Sequence, residues 1–370
     1  MKLGFLGAGL IANHHATGIK GLITSELLDV SLSGVYDPDL GRVREFVKRF
    51  GVEHVFASDK ELIESDSVDA IFVTTWTGEH FQLVEQIASV GKPVFCEKPL
   101  AMNLADARQM LGKVEQHGVP NQIGLVLRTS PSYGFTRDLI KDPGMGRLMA
   151  VNFRDDQYFP IQGVYRSDWR KDSNLAGSGT FLEHSIHDVD LIHWMFGEFT
   201  KVRAVTRNFA GYPHIEDLAI VDGELKQGGQ VSFMSVWHNV LSRESNRHLE
   251  IFFENGRVVV EDDVFGPVTL EQGNRPMKVF DQAEIGAHYV KANPEVFEIG
   301  PAVKSPTALE DYRFLKSLID GRRPEPDFSV GLAAHEVVEA ACRDEGFAVT
   351  EWRRVPVEPD ALGPHARSQM

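Results

Sequence analysis

Three groups of residues have types and spacings that chemistry can use. The first is Gly7-Ala8-Gly9, directly after the apolar run Leu3-Gly4-Phe5-Leu6 and directly before a helical pattern. A buried strand that breaks into Gly-x-Gly and then into a helix is the phosphate-binding turn of a dinucleotide fold. The glycines let the backbone approach a pyrophosphate, and the helix N-terminus offers unpaired N–H groups and the positive end of a dipole. Ala12 stands where the third glycine of the pattern would be, a position that needs only a small residue. Gly-x-Gly also occurs in ordinary turns, so its weight comes from its company. The second group is Cys96-Glu97-Lys98-Pro99, closing another apolar run. Neighbours on a strand point to opposite faces, so Lys98 can enter the crevice at the strand ends of an open parallel sheet and stabilise a developing alkoxide. An ion pair with Glu97 is the structural alternative. The third group is Glu183-His184-Ser185-Ile186-His187-Asp188-Val189-Asp190. On a continuous helix Glu183, His187 and Asp190 share one face, which makes His187 a candidate general base with carboxylates to orient it. A metal held by His184 and His187 is the rival reading. No thiolate joins them, so no metal is expected. His14 and His15, on the first helix, read as partly buried or capping residues.

The second predicted strand ends in Val35-Tyr36-Asp37. An acidic residue there accepts hydrogen bonds from the adenosine ribose hydroxyls and repels a 2′-phosphate, which favours NAD. Arg42 is near enough to keep NADP open. The spacing from Gly9 exceeds the usual ~20 residues, which a long first helix absorbs. The alternative is that Asp37-Pro38-Asp39 is simply a turn.

Periodicity supplies the elements that must hold these groups. Apolar runs suited to buried strands at 3–6, 30–36, 70–75, 93–96 and 122–127 alternate with helical patterns at 10–24, 42–50, 81–90 and 104–117. This is the rhythm of a parallel sheet with helical crossovers. Asn103 is placed to cap the last of these helices, and Gly118 and Pro120 to stop it. Beyond about residue 125, two-residue alternation at 203–209, 218–225, 230–237, 248–253 and 257–261 predicts an antiparallel sheet. Glu254-Asn255-Gly256 reads as a hairpin turn within it. One long helix over 179–195 is predicted to carry the third group. Further helices are predicted over 307–318 and 335–348, and a polar tail over 356–370. These patterns predict an α/β fold class, with a dinucleotide-binding domain over 1–122 and a second domain containing an antiparallel sheet over 123–355.

Composition narrows the function. The 370 residues are 42% hydrophobic and 25% charged, as in ordinary globular proteins. No apolar run approaches the ~20 residues that span a bilayer, and a strand begins right after Met1-Lys2, so neither a membrane partner nor a secretory signal is expected. The formal charge of −15, with no basic cluster to offset it, argues against nucleic acid. Cys96 and Cys342 are far apart and match no metal spacing, which suits a reducing cytoplasm.

Taken together, these residues are similar to the glucose–fructose oxidoreductase / inositol dehydrogenase / MocA family of NAD(P)-dependent oxidoreductases. The resemblance is carried by Gly7 to Ala12, Asp37-Pro38, the loop Thr74 to His80, Glu97-Lys98-Pro99-Leu100-Ala101, Trp169-Arg170, and Gly177-Ser178-Gly179 leading to Glu183, His187 and Asp190. The stretch Trp76 to Ala101 is similar to inositol 2-dehydrogenases in particular. The resemblance implies a cofactor site made by Gly7, Gly9, Leu10, Ile11, Asp37, Thr75, Trp76, His80, Glu97 and Lys98, with Trp169 and Arg170 at the nicotinamide end. It implies Lys98 and His187 as the catalytic pair with Glu183 as their acidic companion, acting on a secondary alcohol of a sugar or cyclitol. Arg128, Arg154, Asp155, Tyr158, Tyr165 and Arg166 are candidate substrate contacts, each with a surface or sheet-face reading as its alternative. It also implies an N-terminal Rossmann domain and a C-terminal substrate-binding α/β domain whose large, mainly antiparallel sheet forms the interface of a homodimer or homotetramer. Three departures weaken transfer of any one member's substrate: Thr75-Trp76-Thr77 replaces a common Thr-Pro-Asn, Glu183 replaces an aspartate, and Ser178 replaces the middle glycine of its run. Two other readings stay open. One is a glycoside hydrolase or lyase that retains and recycles its NAD; the other is a non-catalytic NAD(P)-sensing regulator, which would have no need of an acid–base pair.

Overall fold

A computed structural model describes residues 1–300 and 307–342 and the backbone of 353–354. The expected tail over 356–370 and the end of the helix expected to reach 348 lie outside the described residues.

The first sheet is wholly parallel. Its strands are β1 (Lys2–Leu6), β2 (Ser31–Tyr36), β3 (His54–Val55), β4 (Ala70–Val73), β5 (Val94–Cys96) and β6 (Asn121–Ile123), in the order β3-β2-β1-β4-β5-β6. That is the doubly wound order whose ligand crevice opens at the carboxyl ends of β1 and β4, where the winding reverses. The crossovers are α1 (Leu10–Thr24), α2 (Leu40–Phe50), α3 (Asp59–Glu64), α4 (Thr77–Ser89) and α5 (Leu104–Gln116). Strands buried on both faces read as continuous apolar runs. In β4, Ala70 and Phe72 join one core with α1 and α2, while Ile71 and Val73 join the other with α4 and α5. Phe5, Phe72 and Phe95 stack across three strands with ring centroids 5.0 Å apart. Side-chain caps set several helix starts: Asp39 accepts the amides of Gly41 and Arg42, and Asn103 accepts that of Asp106.

The second sheet has nine strands: β7 (Leu148–Tyr158), β8 (Phe199–Arg207), β9 (Leu218–Leu225), β10 (Gln230–His238), β11 (Asn246–Phe253), β12 (Gly256–Val260), β13 (Val268–Gln272), β14 (Lys278–Phe280) and β15 (Arg353–Arg354). The order is β14-β13-β12-β11-β7-β10-β9-β8-β15, antiparallel except where β7 meets β10. The remaining helices are α6 (Pro131–Leu139), α7 (Ser173–Ala176), α8 (Thr180–Glu183), α9 (Ile186–Phe196), α10 (Gln282–Ala292), α11 (Glu295–Ile299), α12 (Ala308–Ile319) and α13 (Phe328–Cys342). One face of the sheet, with Val151, Phe153, Val221, Phe233, Leu249 and Ile251, packs on Phe181, Ile186, Val189 and Ile192 and on α13. The last two helices return to the first sheet: α12 packs on α1, and α13 packs on α5 and α9.

Two expectations are corrected here. The run over 179–195 is two helices, because His184 and Ser185 between them are tied sideways to β7 through Asp155. The strand expected to reach 127 ends at Ile123 and turns at Gly124, where any Cβ would lie 2.7 Å from Glu97 Oε1.

Candidate active site

The dinucleotide turn is built as its sequence suggests. Gly7 has φ +95°, and a Cβ there would lie 2.7 Å from the Thr74 carbonyl oxygen, so β1 can meet β4 only through glycine. Asp37 pins this turn: Oδ2 accepts the Ala8 amide at 2.8 Å and Oδ1 accepts the Asp39 amide at 2.8 Å. The two readings of Asp37, turn residue and ribose ligand, are therefore compatible, since each oxygen keeps a free lone pair. Helix α1 begins at Gly9 without a capping side chain and without an acid in its first turn. A Cβ at Gly9 would meet nothing, and the buried Thr75 Oγ1 has no hydrogen-bond partner among the described residues. Uncapped amides, open space above them and an orphaned hydroxyl fit an anionic dinucleotide. Leu10 is exposed at the mouth of the turn, next to Ile11. Arg42, also exposed, leans 3.6 Å from Asp39.

The loops after β4 and β5 are fastened to each other. His80 is buried, with Nδ1 2.9 Å from the Pro99 carbonyl and Nε2 3.4 Å from that of Thr75, so its ring ties the two loops together. Burial lowers its pKa, and the neutral ring it favours has one donor to offer. Trp76 Nε1 donates to Glu79. Just past the end of β5, Glu97 and Lys98 reach different partners. Glu97 Oε1 is 2.9 Å from His15 Nε2, and its Oε2 accepts the Lys98 amide. His15 is wholly buried and reaches Asp311 of α12 through Nδ1 at 2.5 Å. Burial alone would lower the His15 pKa, but Asp311 and Glu97 raise it well above its ordinary value. His15 is thus a charged bridge, against the expectation of a partly buried or capping residue. Its partner lies 296 positions along the chain, beyond any local signal.

Lys98 leans across the crevice to the second domain. Its Nζ donates to the backbone carbonyl of Glu183 at 2.8 Å. The Glu183 carboxylate is buried, accepting from Thr77 Oγ1 at 2.6 Å and Arg170 Nε at 3.2 Å, and the Arg170 guanidinium stacks 4.3 Å over Trp169. Burial, followed by the nearby Arg170 charge, pushes the Lys98 pKa down to about 8, against the pull of Glu183 and Glu97. His187 is buried too, and its pKa falls well below the usual value through burial and then the charges of Lys98, Arg247 and His184. The site therefore pairs a cationic lysine with a neutral imidazole. Its ring makes no hydrogen bond to another described residue.

Several expected contacts are placed elsewhere. Asp190 does not orient His187: although both lie on α9, its carboxylate holds Arg128 in a bidentate pair at 2.7 and 2.8 Å. Arg128 is engaged in the same pair. Arg154 alternates to the outer face of β7, where it binds Asp156 and Asn246. Tyr158 is buried, accepts the Val164 amide and packs 5.6 Å from the half-buried Tyr165. Arg166 follows in a positive-φ turn, φ 41°. Asp155 is wholly buried, between His184, Ser185 and Arg247. Arg247, absent from the sequence-based candidates, meets Asp188 at 2.5 Å and Asp263 at 3.0 Å as well. The Gly-rich run before α8 packs against Glu216. Glu216 caps that helix, accepting the amides of Gly179 at 2.7 Å and Phe181 at 3.1 Å, and a Cβ at Gly179 would lie 1.8 Å from the Glu216 carbonyl oxygen. Among the described residues no group of three or more His, Cys, Asp or Glu could hold a metal, and no helix is long and apolar enough to cross a membrane.

Two family models meet this geometry in sequence. Residues 1–125 match the oxidoreductase family with NAD-binding Rossmann fold, GFO_IDH_MocA, and residues 134–259 match the GFO/IDH/MocA C-terminal domain. The chain belongs to the GFO/IDH/MocA family. It is an NAD-binding oxidoreductase. Among its relatives, the myo-inositol 2-dehydrogenase of Thermotoga maritima is 28% identical over 288 residues, covering 74% of this chain and 80% of that protein. The inositol 2-dehydrogenase of Rhizobium meliloti is 25% identical over 363 residues, covering 96% and 99%. In fold, the chain is similar to an oxidoreductase domain protein from Kribbella flavida, with TM-score 0.81 and 20% identity over 96% of this chain and 99% of that one. Levoglucosan dehydrogenase, solved in complex with NADH, superposes with TM-score 0.79 and 18% identity over 96% of this chain and 99% of that one.

Proposed function

We propose that this family member is an NAD-dependent dehydrogenase of a secondary alcohol on a sugar or cyclitol, with Lys98 and His187 as its acid–base pair. The observation that carries the reading is that Lys98 crosses the crevice to the Glu183 carbonyl, four residues before the buried His187, and comes near enough for its charge, after burial, to help keep that imidazole neutral. The inositol dehydrogenases among its relatives support the substrate class. In the oxidation, neutral His187 takes the proton of the substrate hydroxyl, and Lys98 Nζ donates a hydrogen bond to the oxygen as negative charge builds on it. A nicotinamide held at this site would supply the acceptor for the hydride that leaves the same carbon. Glu183 serves through two groups: its carbonyl steadies the ammonium, and its carboxylate, held by Thr77 and Arg170, balances the local positive charge. Asp37 would hold the adenosine ribose, and the amides of Gly9, Leu10 and Ile11 the pyrophosphate. The outer face of the second sheet, with Ile220 and Phe252 exposed, supports a homodimer or homotetramer as part of this reading.

The test is absorbance at the reduced-nicotinamide band with NAD or NADP and a panel of inositols, aldoses and anhydrosugars. His187→Ala should lower turnover by roughly 10²- to 10⁴-fold while NADH binding, read by fluorescence, stays near wild type. Loss of cofactor binding in that variant would make His187 structural. No reduction with any substrate, together with NAD retained through purification, would favour the internally recycled hydrolase or lyase.

A further inference from the structure

The sequence from Thr180 to Phe196 contains no proline and no glycine, yet its helix is interrupted. Local propensity alone does not explain the break. Side chains from the second sheet do. Asp155, on the inner face of β7, accepts from His184 Nε2 at 3.0 Å through Oδ1 and from Ser185 Oγ at 2.8 Å through Oδ2. Ser185 Oγ also lies 2.6 Å from Ser235 Oγ of β10, itself 2.7 Å from Thr180 Oγ1. Both residues of the break are thus drawn onto the sheet.

The interruption has a chemical consequence. In an unbroken α-helix the Glu183 carbonyl would accept the amide of residue 187. Here it accepts Lys98 Nζ instead. The break frees the oxygen that anchors the ammonium, turns the Glu183 carboxylate toward Thr77 and Arg170, and starts a fresh helix one residue before His187. We propose that Asp155 is a positioning residue of the dehydrogenase reaction: it clamps the His184-Ser185 break and so sets Lys98 against His187. This rests on the assignment of Lys98 and His187 made above.

Arg247 makes the clamp tenable. A wholly buried carboxylate is costly unless paired, and the Arg247 guanidinium stands 3.5 Å from Asp155 and 3.2 Å from His184 Nε2 while binding Asp188 and Asp263. Burial would raise the Asp155 pKa, but the charges of Arg247 and His184 hold it well below the usual carboxylate range. The clamp therefore stays ionised through the pH range in which the enzyme would work.

The test is Asp155→Asn and Ser185→Ala in the full chain, assayed with His187→Ala alongside, for kcat, substrate KM and the NADH dissociation constant. Asp155→Asn keeps the shape but loses the charge and one acceptor. A displacement of about 1 Å at the reacting groups costs up to ~10²-fold. Accordingly kcat should fall roughly 10- to 100-fold in Asp155→Asn and several-fold in Ser185→Ala, with NADH affinity within about twofold of wild type. Asp155→Ala should fall further than Asp155→Asn. If Asp155→Asn does not fold, the uncharged Ser185→Ala decides. Wild-type kcat in a folded Asp155→Asn or Ser185→Ala, with His187→Ala inactive, overturns the clamp and leaves the catalytic pair standing. An active His187→Ala overturns the parent assignment instead. A kcat loss that tracks a matching loss of NADH affinity would mark Asp155 as merely structural.

Discussion

The alkaline limb of the pH–rate profile should belong to Lys98. Its ammonium has been moved from an ordinary 10.5 to about 8, which corresponds to roughly 3 kcal/mol against the charged form. At neutral pH about nine-tenths of the molecules keep the charge, and by pH 9 roughly nine-tenths have lost it. On the proposed mechanism the charged form stabilises the alkoxide, so kcat/KM for alcohol oxidation should fall as pH rises through about 8. Burial is the largest cause, the Arg170 charge is next, and Glu183 opposes both. Neutralising either neighbour therefore moves the limb in opposite senses. Arg170→Gln removes a repelling cation and should carry the limb upward; Glu183→Gln removes an attracting anion and should carry it downward. A unit charge at 4 Å is worth about 4 kcal/mol at an effective dielectric constant near 20, about three pH units, and less with distance, so displacements of roughly one to two pH units are expected. Lys98→Arg, whose guanidinium does not deprotonate, should abolish the limb while lowering the rate. The assay is initial-rate absorbance at the reduced-nicotinamide band from pH 5 to 10 at subsaturating alcohol. A limb near pH 8 that survives in Lys98→Arg would assign it to another group and refute the reasoning. So would a wild-type profile that stays flat to pH 10.

Other outcomes follow from single contacts. Asp37→Ala should weaken NADH more than NADPH in a fluorescence titration, and an unchanged ratio of the two affinities would sink the ribose assignment. Burial pushes the Glu216 carboxyl up to about 7 from 4.5, so between those pH values the folded chain holds a proton that the unfolded chain has released. Wild-type stability is therefore lost across that window as pH rises, by roughly 3 kcal/mol for this group. Glu216→Gln should gain on wild type by about that much between pH 4.5 and pH 7 in urea unfolding, and a constant difference would show the carboxyl to be ionised throughout.

The dinucleotide half was readable because its signals are local. Leu10–Thr24 was bounded by its apolar period, and Asn103 announced the start of α5 by residue type alone. Short elements escaped: β3 is two residues long and α3 six, too brief for a periodic signal. The central strand of the second sheet, β7, escaped for a different reason. Arg154-Asp155-Asp156 interrupts its alternation with charge, and one of those charges faces inward for a purpose that only the sheet's partners reveal. The one long helix predicted over 179–195 failed at the same contact. Lys98 and Glu183 were legible as residue types in a pattern. Their meeting through a backbone carbonyl was not, since backbone acceptors leave no mark in sequence. Arg247 was illegible altogether, an arginine in an otherwise regular strand.

These failures share a cause. The charges that define the site are buried and neutralised by residues from remote elements, so no short window contains both members of a pair. His15, Glu97 and Asp311 come from α1, the end of β5 and α12, and form one chain of contacts at 2.5 and 2.9 Å. For Asp311 to reach His15, α12 must lie hard against α1: a Cβ at Gly18 would stand 3.0 Å from Asp311 Oδ2 and 3.2 Å from Ala308 Cα. For Glu97 to reach the other ring nitrogen, the chain after β6 must pass with no side chain, which Gly124 provides. A buried ionic chain adds little stability over a well-packed apolar alternative, whereas loss of one member is strongly destabilising. What it does add is direction. Glu97, just past the end of β5, is held by His15 and in turn accepts the Lys98 amide, which fixes the backbone from which Lys98 reaches across to Glu183. The glycines, the helix that returns from the far end of the chain and the histidine that resembled a capping residue thus act on the same result, the side of the crevice on which the ammonium stands.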